Sequence, residues 1–319
     1  MKTAMITGIT GQDGAYLSKF LLGKGYQVIG LVRSYKYSGH HNLSYLGINN
    51  EVILEECDLL DISRIMNIIN KYDPDEIYNL AAQSSVKTSF DQPIGTMQFN
   101  IISILNILES IKTINPKIKF YQASSSEMFG KAENLPIVEK TVIHPLSPYA
   151  ISKAAAHWTT INYREAYNLF TCCGILFNHE SYLRNERFFV KKVIRQAIDI
   201  HKGKQEVLKV GNIDVKRDFG FSPKYIEAMW LMLQQDKPDD FIICSGKSIS
   251  LKEIVYYVFD KLSIRKDKII IDKNLYRPAD IIDMYGDNSK AKEILNWNYD
   301  LDFFNILDIL IDEELRNYQ

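Results

Sequence analysis

The chain opens Thr3-Ala4-Met5-Ile6-Thr7-Gly8-Ile9-Thr10-Gly11-Gln12-Asp13-Gly14, an apolar run that breaks into three glycines at intervals of three and continues as an amphipathic segment over 16–22. Strand, glycine-rich turn and helix in that order form the first unit of a dinucleotide-binding fold. The turn needs permissive backbone angles, and a Cβ there would keep a pyrophosphate from the N–H groups at the helix start. A glycine-rich turn alone is a weak signal, and structural glycines are the alternative. Between a buried strand and a helix, Gly8, Thr10, Gly11, Gln12, Asp13 and Gly14 are read as cofactor-binding residues.

Outward from this unit, β-rich runs alternate with helical periodicity: strands at 27–32, 52–55, 76–80, 119–123 and 170–176, helices at 62–71, 96–114 and 149–167. Such alternation builds βαβ units and a parallel sheet, so the predicted class is α/β, a Rossmann-type doubly wound sheet. After about 178 the rhythm breaks into polar loops, a helix near 188–202 and a segment over 211–221, which implies a smaller, mixed C-terminal substrate-binding lobe. A helix at 222–234 and a strand at 241–244 re-enter the first lobe. The predicted division is 1–178 plus about 220–245 for the dinucleotide, and about 179–219 with 246–319 for the substrate.

Composition narrows the partners. With 319 residues, 46% hydrophobic and 24% charged, the chain has the make-up of an ordinary globular protein, and no run approaches the ~18 apolar residues of a membrane span. A net charge of −1 from 38 basic and 39 acidic residues gives no broad electropositive surface for nucleic acid. Because the first strand begins at once, no secretory leader is expected there, and a cytoplasmic location is. Cys57, Cys172, Cys173 and Cys244 have no CxxC spacing and read as buried thiols, with neither disulfide nor metal expected.

The second strand ends at Arg33, about twenty residues past the loop, where an NAD site offers a carboxylate to the ribose diol. Arginine suits a 2′-phosphate, so NADP is preferred over NAD; a solvated strand end is the alternative. Asp58 and Leu59 follow the third strand and are placed to meet the adenine edge, or to form a plain turn.

Tyr149 and Lys153 lie one helical turn apart behind Ser147-Pro148. A neighbouring ammonium and a positive nicotinamide would bring the phenol toward a working base. Upstream, Ala123-Ser124-Ser125-Ser126-Glu127 stands at a strand end, where open α/β sheets place ligands. Ser125 is placed to hydrogen-bond a reacting hydroxyl. Glu127 adds a carboxylate that simple alcohol oxidation does not need. A serine-rich turn with a solvated glutamate is the plainer reading.

Over nearly its whole length the sequence resembles the GDP-mannose 4,6-dehydratase family of extended short-chain dehydrogenases. The resemblance rests on Gly8 with Gly11-Gln12-Asp13-Gly14, Ile77-Tyr78-Asn79-Leu80 with Ala82-Gln83-Ser84, Tyr121-Gln122-Ala123-Ser124 and Ser147-Pro148-Tyr149-Ala150. Asn162 to Tyr167, Gly174 to Ser181 and Lys216-Arg217-Asp218 extend it. It implies C4 oxidation by Tyr149, Lys153 and Ser125, proton removal from C5 by Glu127 with loss of the C6 hydroxyl, and return of hydride to C6. Leu80, Ala81 and Ala82 would meet the cofactor. Gln83, Ser84 and Ser125 would face the hexose, and Asn178, Glu180, Lys192, Arg217 and Arg277 would serve the GDP-sugar. For the arginines, surface ion pairs are the alternative; for Lys192, an ordinary charged helix face; for His179 and Glu180, bracing of the loop. A homodimer or homotetramer is implied as well.

The chain departs from the family at Ser125, Met128-Phe129, the loop Arg33-Ser34-Tyr35-Lys36-Tyr37-Ser38, and Tyr182-Leu183. The segment before Tyr276-Arg277-Pro278 is short, which opens the alternative of a GDP-manno-heptose. Two further readings stand beside these: a GDP-4-keto-6-deoxy-sugar reductase or epimerase, which needs no C5 base, and a silent nucleotide-sugar-binding protein, which has no need of an intact Ser125, Tyr149 and Lys153.

Overall fold

The computed structural model describes residues 1–35 and 41–318; Lys36, Tyr37 and Ser38 of the divergent loop lie outside the described residues. In chain order the first half runs β1 (Thr3–Thr7), α1 (Gln12–Gly23), β2 (Gln27–Val32), α2 (His41–Tyr45), β3 (Ile53–Glu56), α3 (Ile62–Tyr72), β4 (Glu76–Asn79), α4 (Val86–Asp91), α5 (Pro93–Ile114), β5 (Lys119–Ser125), α6 (Pro148–Tyr167) and β6 (Thr171–Leu176). The second half runs β7 (Asn178–Glu180), α7 (Phe189–His201), β8 (Leu208–Val210), β9 (Lys216–Phe221), α8 (Ser222–Leu233), β10 (Phe241–Ile243), β11 (Ser248–Ser250), α9 (Leu251–Lys261), β12 (Ile269–Ile271), α10 (Ser289–Leu295) and α11 (Phe303–Arg316).

Among the described residues, seven parallel strands form one sheet in the order β10-β6-β5-β4-β1-β2-β3. The order reverses between β1 and β4, and the crevice outside the carboxyl ends there is where such sheets bind ligands. β7, β9 and β11 make a separate three-stranded sheet, and β8 pairs β12. These pack with α7, α9 and α11 around Val190, Ile194, Phe219, Ile254, Val258 and Leu307. Helix starts follow local chemistry. Ser147 caps α6 by accepting from Ala150 N before Pro148, Asp61 caps α3 by accepting from Arg64 N, and Ser250 with Glu253 forms a capping box on α9.

One expectation needs amending. α5 is a continuous helix whose most apolar window has a mean hydropathy of 1.3, long and apolar enough by composition to cross a bilayer. It packs beside α3 and α6 and buries Asn100, Ser103 and Ser110 along with Ile104, Ile107 and Leu108. That mix suits a core helix of an α/β protein.

The re-entrant strand β10 is docked by an ion pair. Arg164 of α6 donates to both carboxylate oxygens of Asp240, at 3.0 and 2.6 Å, and Cys173 N donates to the same carboxylate at 2.8 Å. Burial pushes the Asp240 carboxyl up, but Arg164 outweighs it and the carboxyl stays below its ordinary range. Asp240→Ala would leave a buried guanidinium and a buried N–H unpaired, and is expected to cost about 3 kcal/mol in urea unfolding at neutral pH. Since a depressed carboxyl stabilises the fold above its unfolded value and loses that contribution as pH falls through the folded one, the gap between wild type and variant should shrink below about pH 4.

Candidate active site

At the end of β1 the chain passes very close to itself. Gly8 has φ +68°, and a Cβ there would stand 2.9 Å from Ala81 N; one on Gly14 would stand 2.3 Å from Gly8 O and 2.6 Å from Ile9 Cα. These two glycines are therefore required by the protein's own packing, whereas a Cβ on Gly11 would meet only Gly8 O at 3.2 Å. Thr7 ties the loop after β4 to the same point. Its hydroxyl donates to Asn79 Oδ1 at 2.7 Å and accepts from Leu80 N and Ala81 N at 3.1 and 3.0 Å.

In front of this turn lies a cavity of about 1890 Å³. That exceeds the ~300–1,000 Å³ usual for one small ligand and leaves room for two side by side. Every residue singled out from the sequence lines it except Asp58, Glu180 and Arg217. The glycine loop, Arg33, Leu59 and Leu80 to Ala82 line one part, and Lys192 and Arg277 another. Ser125, Glu127, Tyr149 and Lys153 line it as well.

Ser125 closes β5 and its hydroxyl accepts from Glu127 N at 3.3 Å, which holds the short turn Ser126–Phe129 carrying Glu127 into the cavity. Tyr149 is buried, and its phenol is pushed up to about 12, first by burial; the Ser125 hydroxyl and the Arg184 charge oppose that rise, and the Glu127 carboxylate adds to it. Lys153 Nζ lies 6.0 Å from the Tyr149 ring centroid and donates to Ala123 O at 2.8 Å. Burial brings this ammonium down to about 8. So the ammonium expected to stabilise the phenolate is bonded to a backbone carbonyl, and the protein by itself keeps the phenol protonated.

A sequence model described as GDP-mannose 4,6 dehydratase matches residues 5–310. GDP-mannose 4,6 dehydratase 2 of Arabidopsis thaliana is 45% identical over 326 residues, covering 99% of this chain and 87% of that protein. The chain belongs to the GDP-mannose 4,6 dehydratase family. GDP-mannose 4,6 dehydratase of Homo sapiens is 42% identical over 321 residues, covering 92% of this chain and 86% of that protein. In fold the chain is similar to dTDP-glucose 4,6-dehydratase from Bacillus anthracis, solved in complex with NAD, with a TM-score of 0.87 at 19% identity over 99% of this chain and 97% of that one.

Within this dehydratase-family site several residues stand differently from the expectation. Asp58 is exposed and accepts from Leu60 N at 3.0 Å, so it forms the plain turn while Leu59 and Cys57 line the cavity. Arg217 is buried behind the wall, donating to Asp280 Oδ1 at 2.9 Å and Ile281 O at 2.6 Å. Glu180 is buried facing Arg184 at 3.6 Å, and burial raises its carboxyl. Gln83 lines the cavity, yet its amide is committed to Thr96 Oγ1, Ser85 O and Ser85 N. Asn178 likewise donates to Asp218 O at 3.2 Å. Lys192 and Lys191 both line the cavity; Lys192 Nζ donates to Lys209 O at 3.0 Å, and Lys191 to Glu314 and Tyr182 O.

Asp13 proves to be a tie between elements. Its carboxylate accepts from Ser222 at 2.8 Å and Gln12 at 3.0 Å and meets His179 Nε2 at 2.9 Å. Burial alone would raise that carboxyl, but His179, Arg184 and Ser222 together hold it far below its usual range. Bracing is thus the role of His179. Sequence reasoning passed over Arg184 and Lys87, both of which line the cavity. Arg184 stands in a loop and Lys87 in the first turn of the short helix α4, neither with a periodicity to mark it.

The glycine contacts separate two kinds of variant. Gly14→Ala should lower stability by about 1–3 kcal/mol, read by thermal unfolding, because backbone must move to admit the methyl group. Gly11→Ala should keep the melting temperature and instead lose about tenfold or more in dinucleotide affinity, read by calorimetry.

Proposed function

We propose that the protein dehydrates GDP-mannose to GDP-4-keto-6-deoxymannose as a hydro-lyase that keeps a nicotinamide dinucleotide through turnover. The observation that carries this reading is the meeting of Tyr149, Ser125 and Glu127 in one cavity at the carboxyl edge of the sheet. The curated relatives named GDP-mannose 4,6 dehydratase support the hexose substrate. A reductase or epimerase gives Glu127 no task, and a silent binding protein gives none to the buried Tyr149 and Lys153. The heptose reading is drawn from one short segment alone.

The residues present fit the dinucleotide. Gly11 before α1 and Gly14 in its first turn carry no side chain, while Gln12 and Asp13 turn theirs to His179, Ser181 and Ser222, so a pyrophosphate could approach the N–H groups and dipole at the helix start. Leu59 and Leu80 to Ala82 would flank it, with Tyr149 and Lys153 at the nicotinamide end. We favour NADP over NAD: Arg33 lines the cavity at the end of β2, and the nearby carboxylate of Asp58 is turned to Leu60 N. We assign 1–178 with about 220–245 to the cofactor, and the remainder to the nucleotide sugar.

When bound, the nicotinamide ring supplies storage for the hydride that leaves C4 and returns to C6. Tyr149 takes the C4 hydroxyl proton while Ser125 holds that oxygen. The 4-ketone so formed acidifies C5–H, and Glu127 removes that proton. The C5–H electron pair becomes the C5–C6 double bond as the C6–O bond breaks. Glu127 later returns its proton to C5. The proton held by Tyr149 and the hydroxide from C6 together make the released water, so both side chains end as they began.

Mass spectrometry of purified protein with GDP-mannose and no added cofactor should show loss of one water; an unchanged sugar nucleotide, even after NADP is added, would overturn the assignment. Tyr149→Phe should abolish the first oxidation. Glu127→Gln should slow elimination by about 10²–10⁴-fold and let the 4-keto sugar accumulate, and native turnover in that variant would rule out Glu127 as the base.

A further inference from the structure

Arg277 sits on a short arch fastened at both ends. Before it, Asp272 N bonds Val210 O at 2.8 Å. After it, Arg217 holds Asp280 and Ile281 O, and Lys216 N bonds Ile282 O at 2.8 Å. Arg217, which the sequence suggested as a substrate ligand, thus anchors the arch whose tip carries Arg277. From that tip the Arg277 guanidinium reaches Glu127 Oε1 at 3.4 Å, its side chain 41% exposed against 17% for the glutamate. Among the described residues Arg277 is the one side chain within ion-pair distance of Glu127, while the buried Arg217 behind it also feels the carboxylate's charge.

The pair is loosely made. A charge-assisted bond of good geometry is about 2.7–2.9 Å long, and an ion pair this open to water contributes about 0–1 kcal/mol. A diphosphate offers the same guanidinium several anionic oxygens in a forked geometry, which it binds better than one distant carboxylate oxygen. Taking Glu127 as the base and Arg277 as a ligand of the GDP-sugar, as read above, with the diphosphate as the anion it meets, one cation is claimed by two anions.

We propose that Arg277 is shared between them: it masks Glu127 in the ligand-free enzyme and is surrendered to the diphosphate of the incoming nucleotide sugar, so that substrate binding itself frees the base. Arg277 is then a positioning residue for elimination as well as a substrate contact. The arrangement keeps the carboxylate paired whenever no nucleotide sugar is present.

The test is a double-mutant cycle on GDP binding, with no turnover involved, by calorimetry on the full-length, cofactor-loaded protein. Wild type, Glu127→Gln, Arg277→Ala and the double variant are compared, with melting temperatures taken to check folding and Arg277→Gln substituted if the alanine variant does not fold. If Glu127 competes with GDP for Arg277, Glu127→Gln should tighten GDP binding about two- to five-fold in the wild-type background and leave it unchanged in the Arg277→Ala background. Equal tightening in both backgrounds would mean that Glu127 merely repels the nucleotide, and no tightening in either would mean no competition; both results overturn the proposal. Failure of GDP to bind wild-type protein would instead overturn the nucleotide-sugar reading on which the proposal stands.

Discussion

The Asp13 carboxylate, partly buried between His179, Ser222 and Gln12, joins the first turn of α1 to β7 and to the start of α8. These elements come from opposite ends of the fold's first 222 residues, and the cavity lies between them. An ionised group there is tolerable only because every neighbour donates to it. Gln12 strengthens the tie by donating to His179 O and accepting from Ser181. The glycine loop before α1 and the segment from β7 to Ser181 are thereby one polar network, and a displacement of either is felt by the other.

A second consequence concerns charge. The reacting end of the cavity gathers Tyr149, Lys153, Glu127 and Arg184, and burial makes the charged forms of Tyr149 and Lys153 costly there. Burial moves the phenol up to about 12 and the ammonium down to about 8, so at neutral pH the protein alone keeps the phenol neutral while the ammonium stays charged but closer to losing its proton. The positively charged ring of an oxidised dinucleotide and the anionic diphosphate of a substrate change that balance on arrival. The site is built to be completed by what it binds, which is consistent with a cofactor retained through turnover.

Much of the fold was legible because its signals are local. Runs of β-branched residues separated by amphipathic helices, Ser147-Pro148 at a helix start and Gly8 at a strand end each report on a few neighbouring residues. The re-entry of β10 was visible for the same reason, as an apolar run in its own right. The residues of the cavity were also found, since strand ends and loops next to glycine turns are named by position along the chain. Hydrogen-bond partners were not legible. That Gln83 holds its own loop, that Asp13 meets His179, or that Arg217 turns to Asp280 depends on segments up to 166 residues apart coming together.

The sequence by itself therefore determined the alternation of the main strands and helices up to β6, the glycine turn and the set of groups able to do acid–base chemistry, because spacing along the backbone sets which side chains share a face or a turn. Only the tertiary structure decided which of those groups are free to act. It turned Arg217 and Glu180 into buried supports and Asp58 into a turn, left Arg277 loosely held by Glu127, and placed Lys153 on a carbonyl, since burial and competition for partners are properties of the packed chain.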